Sequence, residues 1–242
     1  TFDYRGIGDS RTRENFQRTT LADWGKLDVV GAHAYLRTRA PKLPLAHVGH
    51  SVGGQLLALA PEGTVDAALL IASQSGYFRH WPAHLSPLMG ALWYLTPSIV
   101  AIWKRLPMKA LGQGDDVPPG VARQWAEWGR DPRYIGKYLA EASGSEVSPH
   151  VFPLRMCAIA DDGYAPPRAV RALAKNFELA NPELVTLKPT DFGVPTLGHF
   201  GVFREKLGKA VWEQQADWLS LALASRAKGD AAKGTRAVEA AV

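Results

Sequence analysis

The chain has 242 residues, 46% of them hydrophobic and 21% charged, which is enough apolar material for one large domain or two small ones. Its formal net charge is +5, spread without a basic stripe or aromatic-basic interleaving, and this argues against a nucleic-acid partner. The single cysteine, Cys157, excludes an intrachain disulfide and a thiolate metal cluster, fits a reducing compartment such as the cytoplasm, and reads as a small core residue.

Thr1 to Tyr4 alternate like the end of a strand and lead into the loop RGIGDS. From Thr20 to about Arg39, Leu21, Trp24, Leu27, Val30 and Ala34 recur at helical spacing, with Thr20 as N-cap and Asp23 completing a capping-box start. The run Leu45 to Val48 predicts a short buried strand, Val52 to Leu59 a helix, and Ala67 to Ala72 a second buried strand. Short apolar strands alternating with helices predict an α/β fold, a mostly parallel sheet with helices on both faces.

Residues 76–150 break that rhythm. They hold Trp81, Trp93, Trp103, Trp125 and Trp128 and read as several helices joined at prolines. The apolar run from Leu88 to Trp103 is interrupted by Pro97 and is shorter than the ~20 residues that span a bilayer, so no transmembrane segment is expected. The alternation resumes with LRMCAIA at 154–160, a helix from Pro166 to Asn176, the strand ELVTLKP, and a final helix from about Arg204 to Ala224. The expected organisation is therefore a core of residues 1–75 and 151–225, a helical cap inserted at 76–150, and a tail at 226–242, without periodicity, expected to be disordered.

Between the strands predicted at Leu45 to Val48 and Ala67 to Ala72 lies Gly49-His50-Ser51-Val52-Gly53, a G-x-S-x-G pattern with a strand before it and a helix after it. That context is the one in which a nucleophile elbow forms. Turning from strand to helix within a residue or two strains the backbone at Ser51, and the flanking glycines admit close backbone approach. The hydroxyl then stands at a helix N-terminus, where the Val52 N–H is the expected oxyanion donor. A phosphate-binding turn is the alternative, but GHSVGG lacks the Lys-Ser/Thr of a P-loop and the G-x-G-x-x-G spacing.

A serine hydroxyl needs a base, and the base needs an orienting acid. After an elbow of this kind the order is Ser, acid, His. His199, in the small-residue loop PTLGHFGVF between the last predicted strand and last helix, is the candidate base; His150 sits at the wrong end of its strand. The acid should follow LRMCAIA, where Asp161 and Asp162 stand in ADDGYAPP; Asp162 is chosen, with Asp161 assigned to bonding the loop backbone.

These motifs together resemble the α/β-hydrolase superfamily, in particular the predicted hydrolases related to serine aminopeptidases and monoacylglycerol lipases, over most of residues 1–220. D-x-R-G-x-G-x-S (Asp3 to Ser10) resembles the loop after the family's fourth strand, GHSVGGQ its elbow, DDGYAP its acid turn and GHFGVF its histidine loop. SGYFRHWP and the segment from Gln124 to Trp128 resemble a bacterial subgroup of uncertain substrate. The resemblance implies a triad of Ser51, Asp162 and His199, with Asp3 and Arg5 fixing the loop beside the site. It also implies upstream strands and a second oxyanion donor that this chain does not contain, so the sequence is expected to be N-terminally incomplete and weakly active or poorly soluble. Removing one such donor typically costs roughly 10²–10³ in turnover.

The expected chemistry is acyl transfer to water from a small-molecule ester or acyl substrate, with no metal and no organic cofactor. Trp93, Tyr94 and Trp103, with Leu88, are candidates for an apolar substrate-binding wall above Ser51, against the alternative that they only pack the cap. A second reading, an aminopeptidase or amidase, needs a carboxylate to anchor an amine, for which Glu127, Asp131 or Glu141 would serve. A third is a non-catalytic binding module that uses the Trp-rich cap as an exposed apolar patch. The sequence does not give the oligomeric state.

Overall fold

A computed structural model describes residues 1–112 and 114–239, and from residue 227 onward the backbone alone. The sheet is built around the run AALLI, which forms β2 (Ala67–Ile71) and is buried at all five positions. β2 pairs in parallel with β1 (Ala46–His50) and β3 (Leu154–Ile159), and β3 pairs in parallel with β4 (Glu183–Leu187). The order is β1-β2-β3-β4. A central strand covered on both faces reads as continuous apolar residues, whereas the flanking strands carry partly exposed ones such as Val48 and Leu184.

Helices fill the connections. Before β1 come α1 (Arg13–Arg18), α2 (Leu21–Asp23), a π-helical stretch Trp24–Val29, and α3 (Val30–Arg39). The predicted capping box at Thr20 is formed: its hydroxyl accepts from the Asp23 amide and the Asp23 carboxylate accepts from the Thr20 amide. α4 (Val52–Leu56) follows β1 directly and tightens into a 3₁₀ turn over Leu57–Leu59. Between β2 and β3 lie α5 (Ser86–Trp103), α6 (Pro119–Arg130) and α7 (Ile135–Ser143), with α5 packed on α6. α8 (Pro167–Ala174) connects β3 to β4, burying Val170 and Leu173, and α9 (Glu205–Glu239) ends the described chain. No helix among the described residues is long and apolar enough to cross a membrane.

Two features depart from the sequence expectations. Residues 1–4 are not a strand: Tyr4 packs by stacking its ring on Trp24, centroids 4.8 Å apart, and the outer edge of the described sheet is β1. The tail expected to be structureless after Ser225 continues α9 to Glu239; Ala, Lys, Arg and Glu are strong helix formers even where no apolar stripe calls for burial. Residues 240–242 of that tail lie outside the described residues. His150, rejected as a base, is buried and donates from Nε2 to the Leu57 carbonyl, 2.9 Å away, where α4 gives way to the 3₁₀ turn.

A pair of imidazoles, His33 and His47, underlies the same helix. His47 Nε2 donates to the Gly53 carbonyl at 3.2 Å, which leaves its Nδ1 to accept from His33 Nε2 at 3.0 Å. Burial pushes both imidazoles down to about 4, helped at His33 by Arg37 and at His47 by His33 itself. The folded protein therefore binds fewer protons than the unfolded chain between about 4 and the ordinary value of 6.5, so this stability is present above pH 6.5 and lost as pH falls towards 4. The melting temperature should fall through that window, and less steeply in His47→Gln; a flat profile would contradict the depressed values.

Candidate active site

Ser51 sits between β1 and α4 with φ 50° and ψ −120°, a region that side chains with a Cβ rarely occupy. The turn is held by backbone bonds: the Ser51 amide donates to the Ile71 carbonyl at 3.0 Å, and the Ser51 carbonyl accepts from Gly54 and Gln55 at 3.2 and 3.4 Å. Val52 opens the helix, so its N–H has no intrahelical acceptor. The Ser51 hydroxyl makes no hydrogen bond among the described residues.

The glycines around it do not share the work as the pattern implies. A Cβ on Gly49 would lie 2.5 Å from the Gly54 Cα, and one on Gly54 would collide with the Ser73 hydroxyl and come within 2.8 Å of the Ser73 Cβ. On Gly53 it would meet only the Tyr4 hydroxyl at an ordinary 3.6 Å. Close approach is thus required at Gly49 and Gly54, not at the second glycine of the pentapeptide. Gly54→Ala should destabilise the protein by about 1–3 kcal/mol through overpacking, while Gly53→Ala should stay within about 0.5 kcal/mol of wild type. Urea denaturation checks both, and equal losses would contradict the packing.

The loops after β3 and β4 bring two further side chains together. His199 Nδ1 and Asp162 Oδ2 are 2.7 Å apart, with 6% and 0% of their side chains exposed. The other carboxylate oxygen, Asp162 Oδ1, accepts from the amides of Tyr164 at 2.7 Å and Ala165 at 2.9 Å. With every Asp162 oxygen serving as an acceptor, His199 presents Nδ1–H to it and keeps Nε2 free to receive a proton.

Two residues that the sequence did not single out for this purpose fix the histidine loop. Asp161 accepts from the Thr196 hydroxyl at 2.6 Å and from the amides of Leu197 and Gly198 at 3.0 and 3.1 Å. These are long-range bonds rather than the local turn expected of it. Burial alone would raise its carboxyl, but the Thr196 hydroxyl and the two amides outweigh that and hold it below the ordinary value. His50, the residue before Ser51, donates from Nε2 to the His199 carbonyl at 2.9 Å, and the two rings lie 4.5 Å apart. Burial, and then the neighbouring His199, push His50 down to about 4, so it is neutral at neutral pH. His50 thus ties the histidine loop directly to the turn that carries Ser51. The sequence signal was its place within the G-x-S-x-G motif, but the motif gives the first x no fixed role.

No family model and no curated protein sequence matches the chain. Solved structures do. A monoacylglycerol lipase of Paleococcus ferrophilus superposes with a TM-score of 0.53 at 13% identity, over 93% of this chain and 82% of that one. A lipase-esterase related protein of Clostridium acetobutylicum gives 0.54 at 13% identity, over 89% and 81%, and a thermophilic esterase of Thermogutta terrifontis 0.51 at 16%, over 91% and 78%. The chain has the α/β-hydrolase fold.

In this α/β-hydrolase fold α4, which follows Ser51, is also linked to the α6–α7 region. Trp125 Nε1 donates to the Tyr134 hydroxyl at 2.8 Å, which donates to Gln55 Oε1 at 2.7 Å. Gln55 Nε2 donates to Gln74 Oε1 at 3.3 Å, and Gln74 Nε2 to the carbonyl of Tyr164, two residues past Asp162, at 3.4 Å. Burial pushes the Tyr134 phenol well above its ordinary range, so it stays a neutral donor here.

The three aromatics proposed as a substrate wall are not brought to this site. Trp93 is buried and donates to the Gly76 carbonyl at 2.9 Å, while Tyr94 and Trp103 are exposed and nine residues apart on opposite faces of α5. None of the three makes a ring contact or hydrogen bond with Ser51, Asp162 or His199 among the described residues. The rings that do surround the pair are Tyr164 and Phe200, centroids 5.3 and 4.8 Å from that of His199, and Phe203, 4.8 Å from that of His50. All three are half exposed.

Proposed function

We propose that the protein is a serine hydrolase that cleaves carboxylic esters through an acyl-enzyme, with Ser51 as nucleophile, His199 as base and Asp162 orienting the imidazole. The observation that carries this reading is the buried Asp162–His199 contact of 2.7 Å, roped by His50 to the strained turn holding Ser51. Ser51 Oγ attacks the ester carbonyl as its proton passes to His199 Nε2, and the new imidazolium is balanced by Asp162. The Val52 N–H donates to the oxygen that becomes negative. Collapse expels the alcohol, which takes the proton from His199. Water then repeats the sequence on the acyl-enzyme and releases the acid. In the absence of substrate the Ser–His bond of such sites is commonly long and tightens on binding.

Residues 76–150 act in this reading as a cap over the core, and the half-exposed rings of Tyr164, Phe200 and Phe203 offer an apolar rim suited to an acyl or aryl group. The ester reading is favoured over the aminopeptidase reading by the state of the candidate amine anchors. Glu127 is already bonded to Lys137 at 2.5 Å, Asp131 to Arg133 at 2.9 Å, and Glu141 lies 4.0 Å from Lys137. At Glu127 and Asp131 a substrate amine would have to compete with a resident cation. p-Nitrophenyl esters of increasing chain length, assayed beside amino-acid p-nitroanilides, test the choice. Turnover of esters alone is expected; faster turnover of the anilides would overturn the ester assignment.

A further inference from the structure

Helix α5 is apolar on two faces. From Ser86 to Trp103 it carries no Asp, Glu, Lys or Arg. Gly90, Trp93, Thr96 and Val100 turn inward, and α5 packs on α6. The opposite side presents a second stripe, Leu88, Leu92, Leu95 and Ile102, with Ile99 on the same line but partly buried against the core. Leu88 is 67% exposed, Leu95 57% and Ile102 76%. The exposed rings of Tyr94 and Trp103 flank it. An α-helix apolar all round is normally buried all round, so this ridge, about 21 Å long at 1.5 Å per residue, lacks a cover.

The charges beside the ridge indicate the kind of cover it suits. Trp103 ends the helix in a groove of about 460 Å³ that it shares with Arg11, Arg13, Lys104 and Arg105. Arg105 is matched by Asp116 at 3.0 Å, and Arg11 lies over the Phe16 ring at 3.9 Å. Among the described residues Arg11, Arg13 and Lys104 form no ion pair. The nearby acids are already engaged: Glu14 with Arg18, Asp116 with Arg105, and Asp115 with the Gly8 amide. Midway along the helix, the Arg130 guanidinium lies 5.4 Å from the centroid of Tyr94.

We propose that α5 is a docking helix for an anionic lipid surface. The Leu88–Ile102 ridge lies in the plane of the interface with its side chains among the acyl tails. Tyr94 and Trp103 sit at headgroup level, where amphipathic rings are favoured, and Arg11, Arg13 and Lys104 meet lipid phosphates. A second copy of the chain would cover the ridge without using these cations, which makes lipid the better match. The proposal concerns binding and does not depend on the hydrolase reading.

Flotation with vesicles tests it. The protein should float with vesicles of phosphatidylcholine and phosphatidylglycerol, at least about tenfold more than with phosphatidylcholine alone, and should be released as salt rises from about 0.05 to about 0.5 M. Leu95→Glu/Ile102→Glu and, separately, Arg11→Glu/Lys104→Glu should each reduce binding at least about tenfold at unchanged melting temperature. Leu221→Glu, at an exposed position of α9, should change nothing. Failure to float, or equal loss in Leu221→Glu, would overturn the proposal. So would a dimer in sedimentation that Leu95→Glu/Ile102→Glu dissolves while lipid binding is absent, since a second copy would then be the occupant.

Discussion

Replacing Ser51 by alanine is expected to lower ester turnover by at least about 10³-fold, because the proposed nucleophile and its acyl-enzyme are lost together. The same change should leave stability nearly untouched. The strained turn is held by the Ser51 amide on Ile71 and the Ser51 carbonyl under Gly54 and Gln55, whereas the hydroxyl bonds nothing among the described residues. Alanine keeps the Cβ, so the unfavourable φ of 50° is neither relieved nor worsened. Turnover and thermal denaturation on the same preparation separate the two effects. A variant that keeps more than about a tenth of wild-type turnover would remove Ser51 from the chemistry.

Asp162→Asn is expected to lower kcat by about 10⁴-fold with KM little changed. Asp162 Oδ1 is committed to the amides of Tyr164 and Ala165. An asparagine must place its only carbonyl oxygen there, which turns its NH₂ towards His199 Nδ1. That nitrogen then has to accept, so the proton moves to Nε2, and the imidazole faces Ser51 as a donor instead of a base. Steady-state kinetics over a range of ester concentrations reads the split. A loss confined to KM would show that Asp162 shapes the site without setting the tautomer of His199.

The parts of this molecule that were legible in its sequence are those governed by local rules. The buried run AALLI, the capping box at Thr20 and the strand–serine–helix order at Ser51 each follow from a few adjacent residues, and together they give the parallel sheet and the strained turn at Ser51. Asp162 was chosen over Asp161 from its distance to Pro166, and the structure sets its carboxylate against His199. What escaped was set by tertiary neighbours. Gly54 rather than Gly53 needs to be glycine because Ser73, nineteen residues on, fills the space. His50 and Asp161 act on a loop about 150 and 36 residues away, and no spacing rule announces such partners. Tyr94 and Trp103, read from the sequence as neighbours in one wall, occupy opposite faces of α5, a consequence of helical pitch once the helix runs unbroken through Pro97.

Mass spectrometry after reaction with a fluorophosphonate goes most directly to the proposed convergence of Ser51, His199 and Asp162. A single phosphonyl adduct on the tryptic peptide containing Ser51 is expected in the wild type, and its formation should be slowed at least about 10³-fold in His199→Ala. An adduct at another serine, or one that forms on Ser51 equally fast without the imidazole, would contradict the account.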